Sequence, residues 1–287
     1  MISTIDGLRS RLAELRSGSG RADGRGAASV ALVSTLGALH DGHVDLIRLA
    51  RERADIVVVT SFVNPLRFRA RTDVEAYPQR RPEDDALLVS LGVDAVFTPT
   101  AAELLPAGIG TMRVAAGDLG LRYEGRTRPF YFDGLLTVEA ILFHLVKPDV
   151  AVYGERDLQR IFLVRRMSRE LFFDVDVATV PTVRSDDGLP FSSRVALLEP
   201  ADRRAAALLP RALEAAASNA DRGVDACIAA AQSSLMGEER IRLEYLNVVD
   251  PATFLPVDEG HSGRAFALIA ATVAGHRFID NAEISLP

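Results

Sequence analysis

Short runs of β-branched and apolar residues alternate with amphipathic helical patterns through the first two-thirds of the chain. No other feature limits the fold as strongly. "SVALV" (Ser29–Val33), the run from Ile56 to Phe62, Ala95–Phe97, and the apolar cores of "DVAVYGERD" and "FDVDVATVP" read as buried strands. Between them lie helical patterns: one from Val44 with Val44, Ile47, Ala50 and Ala54 on a single face, "PEDDALLVSLG", "DGLLTVEAILFHLVKPD" and "LQRIFLVRRMSREL". Alternation of this kind predicts an α/β fold, a Rossmann-like parallel sheet with helices on both faces, over residues 1–181. Ligands of such sheets sit beyond the carboxyl ends of the strands, where strand order reverses. The polar clusters "STLGALHDGH", "SFVNPLRF" and "YGERDLQR" each follow a strand. After about Pro181 the character changes. An alanine-rich helix, "RRAAALLPRALEAAASNA", precedes the strand patterns "IRLEYLNVVD", "RAFALIAATVAG" and "HRFIDNAEISL". Residues 182–287 are therefore expected to form a smaller α+β domain that acts as a lid over the site.

Charge and cysteine usage narrow the function. A net charge of −6 over 287 residues argues against a general nucleic-acid binder. The single cysteine, Cys227, lies in an apolar pattern, which excludes an intramolecular disulfide and fits a reducing cytoplasm. No apolar run approaches the length of a membrane span, and the N-terminal "MISTIDGLRSRLAELRS" reads as an amphipathic helix. "SGSGRADGRGA" (Ser17–Ala27) reads as a flexible connection. Lys147 is the only lysine, so arginines at interesting positions have a compositional explanation as well as a functional one.

The polar clusters suggest phosphate chemistry. His40 and His43 follow a strand and a glycine-containing turn and open a helix, an arrangement that presents amides and imidazoles to anionic oxygens; helix capping is the simpler reading. Asn64 precedes Pro65 at a strand end and offers both a donor and an acceptor. Glu124, Arg126 and Arg128 share a polar loop. Arg156 and Asp157 could grip a magnesium-bound triphosphate, or could be a surface ion pair. Ser192, Ser193 and Arg194 could close on phosphates, or could cap a helix.

Taken in order, "GALHDGH", "SFVNPLRF", "AYPQRRPEDD", "YEGRTRPFYFDGLLTV", "KPDVAVYGERDLQR", "PTVRSDDGLPFSSR", "LNVVD" and "RFIDN" resemble the pantothenate synthetase (pantoate–β-alanine ligase) family of the HxGH nucleotidyltransferase superfamily, from about Val33 to Asn281. The resemblance implies an ATP- and magnesium-dependent ligase: acid and ATP form an acyl-adenylate, which an amine then attacks. It also implies small-molecule acid and amine partners, a homodimer and a cytoplasmic location. His40, His43, Arg156, Ser192, Ser193 and Arg194 would act on the phosphates. Thr35, Leu36, Gly37, Gly154, Asp157 and Val183 would hold the nucleoside. Asn64, Arg67, Arg160, Tyr131, Glu124 and Arg128 would bind the acid, and Asp84 and Asp85 would serve the metal.

Departures from the family pattern fall in the acid pocket. Ser34 and Leu36 replace a proline and a methionine, Arg67 and Arg160 replace glutamines, Arg156 replaces a lysine, and Phe130, Tyr131 and Phe191 are also changed. Two guanidiniums side by side require negative charge from the substrate or from nearby acids. The expectation drawn from this is an acid substrate carrying an extra anionic group. The alternatives are the ordinary pantoate and β-alanine reaction, transfer of AMP to a phosphorylated acceptor, and a nucleotide-binding protein without catalysis.

Overall fold

The computed structural model describes residues 1–18, 28–68, 74–75, 77–108, 112–192 and 194–287. From position 19 onward, the connection expected at Ser17–Ala27 lies outside them. The chain divides into two compact units. One comprises Met1–Glu155 and Arg160–Val180; the other comprises Arg156–Gln159 and Pro181–Pro287.

In the first unit, five parallel strands form a sheet: β1 (Val30–Thr35), β2 (Ile56–Ser61), β3 (Ala95–Phe97), β4 (Val150–Gly154) and β5 (Asp176–Val180). Their order is β3-β2-β1-β4-β5. β1 pairs with β2 from Val30↔Ile56 to Thr35↔Ser61, and with β4 at Ala31↔Val150 and Leu32↔Ala151. Strand order reverses between β1 and β4, so the loops that follow these two strands flank the crevice where such sheets bind ligands. Strands buried on both faces need apolar residues at every position, which is why they read as continuous runs. One face, with Ala31, Val33, Val57, Val59, Val150 and Val152, packs on Ile47 and Ala50 of α2 (Asp41–Arg53) and on Leu88 of α3 (Arg81–Ser90). α1 (Ile5–Gly18) packs with the long helix α4 (Tyr131–Val146), which also meets β1. α5 (Leu158–Glu170) follows β4. This is the architecture that the alternation predicts.

The second unit contains α6 (Pro200–Ala206), α7 (Leu208–Ser218) and α8 (Val224–Leu235), with an antiparallel sheet in the order β6-β7-β8. Its strands are β6 (Ile241–Val249), β7 (Gly263–Val273) and β8 (His276–Leu286). The alanine-rich segment is two helices and not one. Pro210 has no N–H, and in an unbroken helix its ring would meet the carbonyl of Ala206. The chain breaks at Ala207, which leaves Pro210 in the first turn of α7, where no N–H is required. Cys227 is fully buried, as its apolar setting suggests. Among the described residues, no helix is long and apolar enough to cross a membrane.

Glu244 of β6 ties this sheet together. Its carboxylate accepts from Thr272 Oγ1 at 2.6 Å and from Arg277 Nε at 2.7 Å. Burial pushes its pKa up, but these two donors outweigh burial and hold it below the usual value of 4.5. A depressed carboxylate stabilises the fold above its unfolded pKa, and the contribution disappears as pH falls through the folded value. Glu244→Gln should therefore be less stable than wild type near neutrality, with the difference narrowing below pH about 4.5. Melting curves between pH 3 and 7 check this; a constant difference would contradict it.

Candidate active site

The loop after β1 is held from below. Thr35 Oγ1 donates to Thr60 O at 2.8 Å and accepts from Gly37 N at 3.2 Å. Gly37 has φ +84°, a backbone conformation that favours glycine, and a Cβ there would also press on Ser61 Oγ at 3.0 Å. The next two amides, of Ala38 and Leu39, donate to the two carboxylate oxygens of Asp84, each at 2.8 Å. Asp84 is buried and sits in the first turn of α3. Expected as a metal ligand, it instead anchors this loop, because its oxygens are turned onto backbone amides; Asp85 is half-buried beside it. Among the described residues no cluster of three or more His, Cys, Asp or Glu side chains is placed to hold a metal ion. Hydrogen bonds to charged groups contribute about 1.5–3 kcal/mol each. Asp84→Ala should thus cost at least about 2 kcal/mol of stability and also loosen the histidine loop, as denaturant titration alongside turnover would show. Unchanged stability would contradict the anchor.

The two histidines open α2. His40 is the N-cap residue and His43 the third residue of the helix. His43 Nδ1 accepts from the His40 amide at 3.2 Å, and the ring centroids are 4.1 Å apart. Capping is therefore part of their task. It also fixes chemistry. With Nδ1 accepting, the proton of a neutral His43 resides on Nε2, making that nitrogen a donor at the positive end of a 13-residue helix.

A recess opens next to this loop. It is lined by Ser34, Thr35 and Leu36 from β1 and its loop, Thr60 and Phe62 from the end of β2, Asn64 and Arg67, Leu135, Val138, Glu139 and Leu142 from α4, and Arg160 from α5. Thus Asn64, Arg67 and Arg160 are brought together, as are Thr35 and Leu36. Asn64 braces the wall: its Oδ1 accepts from Leu66 N and its Nδ2 donates to Gly134 O at 2.9 Å. Gly134 permits this approach, since a Cβ there would lie 2.5 Å from Leu66 Cβ. Arg67 Nη2 donates to Tyr131 Oη, and the guanidiniums of Arg67 (5.0 Å) and Arg128 (3.8 Å) both lie close to the Tyr131 ring centroid. Arg128 also donates to Arg67 O at 2.8 Å. Tyr131, Glu124 and Arg128, expected to bind the acid, do not line the recess; Tyr131 and Arg128 instead hold Arg67 in place, and Glu124 is buried. Thr60 Oγ1 and Arg67 Nε are buried and lack a hydrogen-bond partner among the described residues.

Arg160 differs from Arg67. Its Nη2 lies 2.5 Å from Glu139 Oε1 and 2.8 Å from Ser34 Oγ, and its guanidinium sits 4.8 Å from the Tyr153 ring centroid. Tyr153 Oη donates to Glu139 Oε2 at 3.0 Å, and Ser34 Oγ donates to Glu139 as well. Burial, then the neighbouring Glu139 charge, push the Tyr153 phenol well above its ordinary pKa. The negative charge that Arg160 requires is therefore supplied by the protein, and Arg67 is left to match a single substrate carboxylate. This removes the physical ground for an extra anionic group on the substrate. Glu139, Thr60 and Tyr153 do not stand out as site residues in sequence. The one signal is Glu139 itself, a lone carboxylate on the apolar face of "LLTVEAILFHLV".

In the second unit, two of the remaining candidates, Arg156 and Arg194, meet β8. Arg156 Nη1 donates to Phe191 O at 2.8 Å, and Asn281 Nδ2 donates to Arg156 O at 3.0 Å. Ser192 Oγ accepts from Arg194 N, and Arg194 Nη1 donates to Arg277 O. Val183 O accepts from Phe191 N at 3.0 Å. Arg184 forms a two-pronged pair with the buried Asp280, at 2.6 and 2.9 Å. Asp157 is half-buried, Gly154 exposed, and Ser193 lies outside the described residues.

Residues 1–283 match the family model described as pantoate-beta-alanine ligase. A pantothenate synthetase of Leifsonia xyli is 47% identical over 261 residues, covering 91% of each chain. A crystal structure of the Thermus thermophilus pantothenate synthetase superposes with a TM-score of 0.89 at 40% identity, covering 100% of this chain and 99% of that one. The pantoate-beta-alanine ligase of Francisella tularensis, crystallised in complex with beta-gamma ATP and beta-alanine, superposes at 0.77 with 28% identity, covering 98% of this chain and 97% of that one.

Proposed function

This chain belongs to the pantoate-beta-alanine ligase family, whose members are ATP-dependent, AMP-forming amide ligases, and on that premise we propose that it joins pantoate to β-alanine. The observation that carries the choice of acid is the Glu139–Arg160 pair at 2.5 Å. With Arg160 neutralised, Arg67 is the guanidinium of the recess left uncompensated among the described residues, and it can meet one carboxylate. Phe62, Leu135, Val138 and Leu142 suit the paired methyl groups of pantoate, and the Thr60 hydroxyl, which has no partner among the described residues, suits one of its alcohols.

In the proposed first step a pantoate carboxylate oxygen attacks the α-phosphorus of ATP, the bond to the β-phosphate bridge breaks, and pyrophosphate leaves. Negative charge builds on the non-bridging oxygens. His43 Nε2 and His40 are the donors proposed to meet it. In the second step the neutral amine of β-alanine attacks the carbonyl carbon. The carbon–oxygen bond to AMP then breaks, and the nitrogen loses its proton.

Thr35, Leu36 and Gly37 with Gly154, and in the second unit Asp157 and Val183, are the proposed nucleoside contacts. Arg156, Ser192, Ser193 and Arg194 are the proposed phosphate contacts of the second unit. Magnesium is proposed to arrive on the triphosphate, keeping most of its own waters; no cage of protein carboxylates is then required. A homodimer in a reducing cytoplasm completes the reading.

The test is product analysis. Pantoate, β-alanine and magnesium-ATP should give the amide, AMP and pyrophosphate in equal amounts, and the gene should restore growth of a pantothenate auxotroph. Preference for a dianionic acid over pantoate would overturn the assignment.

A further inference from the structure

The two arginines of the recess have different surroundings, and the difference originates on α4. Arg67 is flanked by Tyr131 and Arg128, and among the described residues no carboxylate pairs with it. Arg160 is held by Glu139, whose side chain is only 5% exposed. Glu139 sits among Leu135, Val138 and Leu142 on the wall of the recess, a position that packing alone would give to an apolar residue. A carboxylate there is costly unless paired, and so is an unpaired guanidinium. Glu139 also accepts from Tyr153 and Ser34, so its two oxygens are oriented by three side chains at once. Two guanidiniums and one carboxylate leave the recess with a single net positive charge.

We propose that Glu139 sets the charge of the acid site: by pairing with Arg160 it makes the recess select a hydroxylated monocarboxylate and reject the matching dicarboxylate. This deepens the pantoate reading and rests on it. Glu139 is a positioning residue, acting through Arg160 and Ser34 and not on the reacting atoms. Without its charge, Arg160 would become a second anion receptor in the same small space, and a ligand with two carboxylates would match the site better than one with a carboxylate and an alcohol.

The probe pair is pantoate and 3,3-dimethylmalate, in which a carboxylate replaces the terminal CH2OH. Acid-dependent pyrophosphate release is measured for both at saturating magnesium-ATP. Wild type should prefer pantoate by about 10²-fold or more in kcat/KM. Glu139→Gln should move that ratio at least about tenfold toward the dicarboxylate, through KM and not kcat, and Glu139→Gln with Arg160→Gln should move it back. Arg160→Gln alone, which leaves Glu139 facing the incoming carboxylate, should raise the KM for pantoate at least about tenfold with the KM for ATP unchanged, and adding Glu139→Gln should recover it. That second comparison decides the matter should Glu139→Gln alone fail to fold. An unchanged ratio in Glu139→Gln, or no recovery in the double variant, overturns the proposal. Wild type that ignores pantoate but uses other acids would instead bring down the pantoate reading, and the same variants would then be scored on a monocarboxylate and dicarboxylate pair it accepts.

Discussion

His43→Ala lowers the rate of acid-dependent pyrophosphate release by about 10²–10³-fold, the scale of losing one donor aimed at transition-state charge. That corresponds to about 2.7–4 kcal/mol of barrier. His43 also accepts from the His40 amide, so the substitution removes part of a helix cap. A lost cap costs about 1 kcal/mol of stability, too little to account for the rate. The two effects separate experimentally: the melting temperature should fall by a few degrees, while kcat falls by orders of magnitude at temperatures where the variant is fully folded. Because the developing charge exists only in the transition state, the KM for ATP should move much less than kcat. Full activity in a folded His43→Ala would remove the histidine from the chemistry and leave it a cap.

Arg67→Ala should lower kcat/KM for pantoate by about 10²–10³-fold. Among the described recess residues, Arg67 offers the guanidinium without a carboxylate beside it. Removing one member of a buried charged pair with the substrate costs about 2–5 kcal/mol, mostly because the other charge is left unmatched. Arg67 is held by Tyr131 and carries Arg128 on its carbonyl, so the truncation also frees two neighbours. Tyr131→Phe, which keeps the ring and deletes only the hydroxyl, should show a smaller loss of about tenfold or less. The loss in Arg67→Ala should appear in the KM for the acid, with the KM for ATP nearly unchanged. An equal loss for both substrates would point to collapse of the loop.

The five parallel strands are legible in the sequence because each is buried on both faces, which forces a near-continuous apolar run such as Ile56–Phe62. Their order and register are not, since β1 meets β4 across more than a hundred residues and local pattern carries no trace of that pairing. The histidine pair is legible from its glycine turn and helical onset. Its second task, the cap that His43 Nδ1 makes on the His40 amide at 3.2 Å, depends on ring orientation. Asp84 is visible in sequence as a carboxylate near the site, but its work is not. Its proximity to the amides of Ala38 and Leu39 arises only when α3 folds against the loop. The acid pocket shows the limit most clearly. Arg67 and Arg160 look equivalent in sequence, and a negative partner is expected from the substrate. The partner of Arg160 is Glu139, 21 residues earlier in an apolar helix. Only the tertiary fold, which brings α4 and Arg160 of α5 to the same recess, makes it a neighbour.

One measurement addresses the central claim most directly. Pantoate labelled with ¹⁸O in both carboxylate oxygens is converted with β-alanine and magnesium-ATP, and the AMP, pyrophosphate and amide are analysed by mass spectrometry. An acyl-adenylate route transfers one labelled oxygen to the AMP phosphate, leaves one in the amide carbonyl, and puts none in pyrophosphate. Label in inorganic phosphate with ADP as the nucleotide product, or AMP formed without label, would contradict the account.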